Sequence, residues 1–137
     1  FYGKVKVVLL EKIDKAVATR LRQQGFEVVE DHRGLTGQPL IDLIHDATCV
    51  GIRSKSKITR EVLAGCPKLL AIGCFCIGTN QVDLQAATER GVVAFNSPFE
   101  NTRSVAEMII AELITLARQL GDRNKELHAG NWFKVST

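Results

Sequence analysis

Short apolar runs alternate with stretches of helical spacing from Lys4 to Phe95, and this alternation leaves the chain very few architectures. Lys4–Leu10 is almost continuously apolar, as a strand buried on both faces must be. Asp14–Gln24 places Ala16, Val17 and Leu21 at helical spacing and ends at Gly25, a residue suited to a helix C-terminus. Phe26–Glu30 reads as a second strand and His32–Gln38 as a loop, and Pro39 fits the first turn of a helix running through Ile44. A third strand at Thr48–Ile52 leads into the polar loop Arg53–Lys57 and a short helix, Thr59–Ala64, with Thr59 as its N-cap. A fourth strand is expected at Lys68–Ile72, a helix at Asp83–Arg90 ending at Gly91, and a fifth strand at Val92–Phe95. Apolar strands alternating with helices predict an α/β domain with a doubly wound parallel sheet. The short spacing suits a flavodoxin-like strand order better than a barrel.

After the turn Asn96-Ser97-Pro98-Phe99 the pattern changes. One long helix is expected from Asn101 to Leu127, with apolar residues (Val105, Ile109, Leu113 and Leu116 among them) covering far more than one stripe. A helix apolar nearly all round is buried on two sides, so it is expected to pack on its own domain and on a second domain or subunit. Gly121 should weaken it, and Asp122–Lys125 should face solvent. The chain begins with Phe1 instead of Met and stops abruptly at Val135-Ser136-Thr137, as a piece of a longer protein is expected to.

Composition removes several function classes. A length of 137 residues permits one modest domain with a real core, and 45% hydrophobic with 24% charged residues is ordinary for a globular protein. The net charge of +3 does not argue for nucleic acid, and no basic cluster is interleaved with aromatics. The most apolar stretch, Val105–Ala117, is broken by Glu107, Glu112 and Thr115 and is too short to span a bilayer. No secretory segment is recognisable. Cys49, Cys66, Cys74 and Cys76 lie in or beside strand patterns and read as reduced, buried thiols of a cytoplasmic protein. Cys74-Phe75-Cys76 has no second ligand pair, so no metal is expected.

Candidate chemistry gathers in the loops. Gly73–Gly78 has the G-x-x-x-x-G spacing of a phosphate loop, but Thr79-Asn80 stands where Lys-Ser/Thr is required, and no G-x-G-x-x-G occurs anywhere. Arg53-Ser54-Lys55-Ser56-Lys57 follows the third strand directly. Its guanidinium, hydroxyls and ammoniums suit an anionic substrate, with Arg53 able to grip carboxylate or phosphate in bidentate fashion, although most such runs are simply solvated. Ser104-Val105-Ala106-Glu107 matches a capping box, and Asn101 could cap one turn earlier or contact ligand. His32, His45 and His128 have no recognisable nucleophile partner, and His45 reads as structural.

Three segments together, Gly51–Ser54, Ala71–Asp83 and Phe95–Glu107, resemble the NAD-dependent D-2-hydroxyacid dehydrogenases. At Cys74-Phe75-Cys76 the likeness is to the branch that oxidises 3-phosphoglycerate, the first step of the phosphorylated route to L-serine. The resemblance covers essentially the whole chain. It implies the first segment of a substrate-binding domain (residues 1–100), a crossover helix at a domain and dimer interface (101–127), and a lead-in to a missing cofactor domain (128–137). By position in the resemblance, Arg53, Ser54 and Asn101 would hold the phosphate and carboxylate of a phosphorylated hydroxy acid. Arg33, where the family usually has Lys, and Lys134 would be the basic residues a neighbouring subunit contributes. NAD would be bound mainly by the missing domain, which would also carry the catalytic Arg, Glu and His. These residues alone are therefore expected to be catalytically silent, cytoplasmic and homo-oligomeric through the crossover helix.

Competing readings come from other classes. A glycerate- or lactate-type member of the same family would keep the fold and lose the phosphate. A receiver-type signalling module could use Glu11 as one acid, but the third strand ends in Gly51-Ile52-Arg53, so its phospho-acceptor is absent. A stand-alone binding or dimerisation module would require a folded product ending at Thr137.

Overall fold

In the computed structural model, which describes residues 5–132, strand and helix alternate strictly up to Asn96. The order is β1 (Lys6–Leu9), α1 (Lys15–Gln23), β2 (Glu27–Glu30), α2 (Gly37–Ile44), β3 (Cys49–Ile52), α3 (Arg60–Gly65), β4 (Ala71–Cys74), α4 (Leu84–Glu89) and β5 (Val93–Asn96). All four strand pairs are parallel, in the order β2-β1-β3-β4-β5. This is the doubly wound, flavodoxin-like sheet that the alternation predicts.

Register sorts the side chains into two rows. Val29, Val8, Val50, Ile72 and Ala94 are adjacent across the sheet and face a core completed by Leu40 and Ile44 of α2, Val62 and Leu63 of α3, and Ala86 and Ala87 of α4. On the opposite face, Val7 and Leu9 pack with Ile13 and with Val17, Ala18 and Leu21 of α1. Each fully buried aliphatic side chain contributes about 1.5–3 kcal/mol.

The N-cap expected at Thr59 is present, and Asp14 and Asp83, read as the first residues of their helices, prove to be N-caps as well. Asp14 Oδ1 accepts from Ala16 N at 2.7 Å, Thr59 Oγ1 from Val62 N at 3.4 Å, and Asp83 Oδ1 from Ala86 N at 2.8 Å. β4 differs from expectation, running Ala71–Cys74 instead of Lys68–Ile72. Pro67 lies within a turn closed by Leu69 N donating to Cys66 O at 3.2 Å, so pairing begins only beyond it. Gly73 and Cys74 therefore belong to the strand, and the polar loop starts at Phe75.

A second unit follows Pro98. Its helix is not continuous. α5 (Thr102–Ala117) and α6 (Leu120–His128) are separated at Gln119, which has a left-handed φ of 53°, so the break precedes Gly121. The capping box at Ser104 is also corrected. The helix already begins at Thr102, so Ser104 lies inside it, and Glu107 accepts from Arg103 Nε at 2.7 Å one turn back. Asn101 occupies the N-cap position, but its side chain makes no cap hydrogen bond. No helix among the described residues is long and apolar enough to cross a membrane.

Candidate functional site

β1 is flanked by β2 on one side and β3 on the other, so the chain reverses its direction of travel across the sheet there. Ligands of open α/β sheets bind outside the carboxyl ends of the strands at such a reversal. A cleft of about 280 Å³ lies at this place. β1 delivers Glu11 and Lys12, β2 delivers His32 and Gly34, and β3 delivers Arg53, Ser54 and Lys55. Arg53 and Lys12 also line a neighbouring depression with Asp14, Val17 and Phe75. Arg53 and Ser54 thus line the same cleft.

Two loops are joined side by side to form the cleft. Thr36 and Lys57 make an isolated parallel bridge, and Leu35 N donates to Ser56 Oγ at 3.2 Å. Gly34 allows the closest approach, because a Cβ there would stand 2.6 Å from Lys55 Cβ. The Arg53–Lys57 loop is consequently not a plain solvated run, and Ser56 within it is fully buried.

Glu11, which the sequence suggests only as an acid of a receiver-type module, has a different place in this site. It is 7% exposed, and its carboxylate accepts from Lys55 N at 2.9 Å and Ser56 N at 2.7 Å. Burial pushes this carboxyl up, but the two amides and the Ser56 hydroxyl outweigh it and hold the group below its ordinary value. Glu11 and Lys12 have φ of 60° and 54°, a left-handed pair that costs about 1–3 kcal/mol per residue and persists only where surrounding contacts enforce it. Gln81, also 7% exposed, is missed by sequence reading. Its Nε2 donates to Arg53 O at 2.8 Å, and lies 3.1 Å from both Gly78 O and Cys76 Sγ.

The other expected site residues are placed as follows. Arg33 is exposed and is engaged by Asp31, with Nη2 2.6 Å from Oδ2 and Nε 3.0 Å from Oδ1. That guanidinium holds the Asp31 carboxyl down at about 2. Arg33 does not line the cleft, although its neighbours His32 and Gly34 do. Asn101 belongs to the second unit. Lys134 lies outside the described residues.

Chemically, the cleft gathers Lys12, His32, Arg53 and Lys55 around one carboxylate whose charge is already spent on backbone amides. It suits a small anion. It does not suit the pyrophosphate of a dinucleotide. The β1–α1 turn carries the Glu11 carboxylate where such folds place glycines, and Asp14 occupies the start of α1. His45 and His128 bond backbone carbonyls of their own helices at 3.0 and 2.9 Å, which leaves them structural. All four cysteines are free, and burial pushes the Cys74 thiol up to about 11, far from thiolate reactivity. Among the described residues no group of His, Cys, Asp and Glu is placed to hold a metal ion.

Comparison with known proteins gives the family. Residues 7–128 match the family described as D-isomer specific 2-hydroxyacid dehydrogenase, catalytic domain, and the chain belongs to that family. Among its relatives, D-3-phosphoglycerate dehydrogenase 1 of Saccharomyces cerevisiae is 52% identical over 98% of this chain and 29% of its own length. The Escherichia coli K12 D-3-phosphoglycerate dehydrogenase is 46% identical over 97% of this chain and 33% of its own length. The chain therefore spans about a third of the curated relatives it matches. Among solved structures, a protein from Thermus thermophilus superposes with a TM-score of 0.82 and 27% identity, covering 96% of this chain and 43% of that one. The NAD+-bound 3-phosphoglycerate dehydrogenase of Entamoeba histolytica superposes with a TM-score of 0.71 and 28% identity over 82% of this chain and 39% of that one.

Proposed function

We propose that this chain is the substrate-binding part of an NAD-dependent enzyme that oxidises 3-phosphoglycerate to 3-phosphohydroxypyruvate, opening the phosphorylated route to L-serine. The observation that carries this reading is the basic cleft at the β1/β3 reversal, where Arg53 and Ser54 stand together beside Lys12 and Lys55. An arginine can grip one anionic end of the substrate in bidentate fashion, and further ammonium groups favour a second anion, phosphate, over an uncharged lactate or glycerate tail.

Arg53, Ser54 and Asn101 bind and orient the hydroxy acid. Arg33 and Lys134 are the basic groups that a neighbouring subunit contributes in a homo-oligomer built on α5. Residues 1–100, 101–127 and 128–137 act as substrate domain, crossover and lead-in to the cofactor domain. NAD and the acid–base groups belong to that further domain, so these residues are silent by themselves and work by orientation. The enzyme is cytoplasmic and binds neither nucleic acid nor membrane.

The test is an assay of the full-length gene product for NADH oxidation with 3-phosphohydroxypyruvate, hydroxypyruvate and pyruvate. Preference for the phosphorylated acid is expected, with kcat/KM falling at least about a hundredfold in Arg53→Ala, as loss of a charge-assisted bidentate contact implies. Turnover of only the unphosphorylated acids would keep the family and overturn the substrate.

A further inference from the structure

The Arg53 loop is held from two sides by buried polar side chains. On the β1 side, both oxygens of the Glu11 carboxylate are taken by the amides of Lys55 and Ser56. On the β4 side, the Gln81 carboxamide donates to the carbonyl of Arg53 itself, while the Gln81 backbone carbonyl receives Ile58 N at 2.8 Å just beyond the loop. Arg53, Ser54 and Lys55 are exposed, and apart from the approach of Lys55 to Gly34 packing does little to fix them. Hydrogen bonds to their backbone are what remain to set the direction of the guanidinium.

We infer that Glu11 and Gln81 are positioning residues that brace the Arg53–Ser56 backbone from the two sides of the cleft and so preset Arg53 for its anion. The left-handed backbone at Glu11 and Lys12 supports this. It is a local cost that the Glu11 carboxylate contacts offset, and the same turn brings Lys12 to the cleft rim. Gln81 has a second consequence. Because its Nε2 also reaches Gly78 O and Cys76 Sγ, the Phe75–Asn80 loop and the Arg53 loop share one anchor and shift together. The inference rests on the assignment of Arg53 to the substrate anion.

A preset arginine binds with less ordering cost, so loosening it weakens binding more than it slows the step that follows. In the full-length protein, Glu11→Gln replaces one acceptor by a donor that faces an N–H, and Gln81→Met removes the Arg53 anchor at similar volume. Each is expected to raise KM for 3-phosphohydroxypyruvate about tenfold while kcat changes less than about threefold. Combined with Arg53→Ala, each should add nothing further to KM, because both act through that side chain. Amide exchange at Lys55 and Ser56 should quicken in Glu11→Gln while the β1–β3 ladder keeps its protection. Effects that persist undiminished in the Arg53→Ala background, or loop amides that stay protected in Glu11→Gln, would overturn the bracing role. Should Glu11→Gln fail to fold, Gln81→Met carries the same cycle from the opposite side. A wild-type enzyme with no turnover of the phosphorylated acid would refute the substrate instead, and amide exchange would then decide the brace alone.

Discussion

The two faces of the sheet are closed to very different degrees. Beneath α2, α3 and α4, the residues Val8, Leu40, Ile44, Ile52, Val62 and Ile72 are each fully buried. On the opposite face α1 covers Val7 and Leu9, but Val93 and Phe95 of β5 in the same rows remain 51% and 61% exposed. Between these extremes, Gly51 and Gly73 are roofed by the ring of Phe75. One sheet thus has a finished core on one side and a graded one on the other. Stability of this unit is drawn mostly from the first, which leaves the second free to carry small residues and a loop aromatic close to the cleft.

The largest test of that contrast lies at the closed face. Ile72→Ala should cost about 2–5 kcal/mol in urea unfolding, since the site is enclosed by neighbours that relax only partly. A value under about 1 kcal/mol would mean that the closed core is loosely packed. Next comes the roofed strip. At Gly51 a Cβ would meet Leu9 Cδ2 at 2.7 Å and Phe75 Cε2 at 3.0 Å, so Gly51→Ala should cost about 1–3 kcal/mol by overpacking. At Gly73 the nearest atom would be 3.4 Å away, an ordinary contact, and alanine there should be clearly milder. The smallest effect belongs to the open edge, where Phe95→Ser should stay within about 0.5 kcal/mol for this chain. A loss several times larger in a longer product would show that another segment shelters β5.

The same contrast explains what could be read from the sequence. Strands buried on both faces announce themselves as apolar runs, and the strand order followed from their short spacing. The β4 boundary is misplaced by sequence reading because Leu69 and Leu70 extend the apolar run of β4 backward while Pro67 holds them in a turn. The break at Gln119 escapes it because glutamine carries no left-handed signature, unlike the glycine two residues later. Of the site, the basic loop was legible and its supports were not. Arg53 and Ser54 advertise an anion by residue type alone. Glu11 and Gln81 look like ordinary surface polars, and only the placement of chain dozens of residues away makes them buried acceptors and donors.

That separation also dictates an order of events. Glu11 and the amides it holds are 44 and 45 residues apart along the chain, so this contact closes a long loop and cannot form ahead of the β1–β3 pairing that brings its ends together. In pulse-labelled refolding, protection at Lys55 and Ser56 should appear no earlier than protection in that ladder. The cleft is therefore a product of completed folding and never a preformed local motif. A nascent or damaged chain would lose this cleft, and the anion binding proposed for it, before it lost its helices.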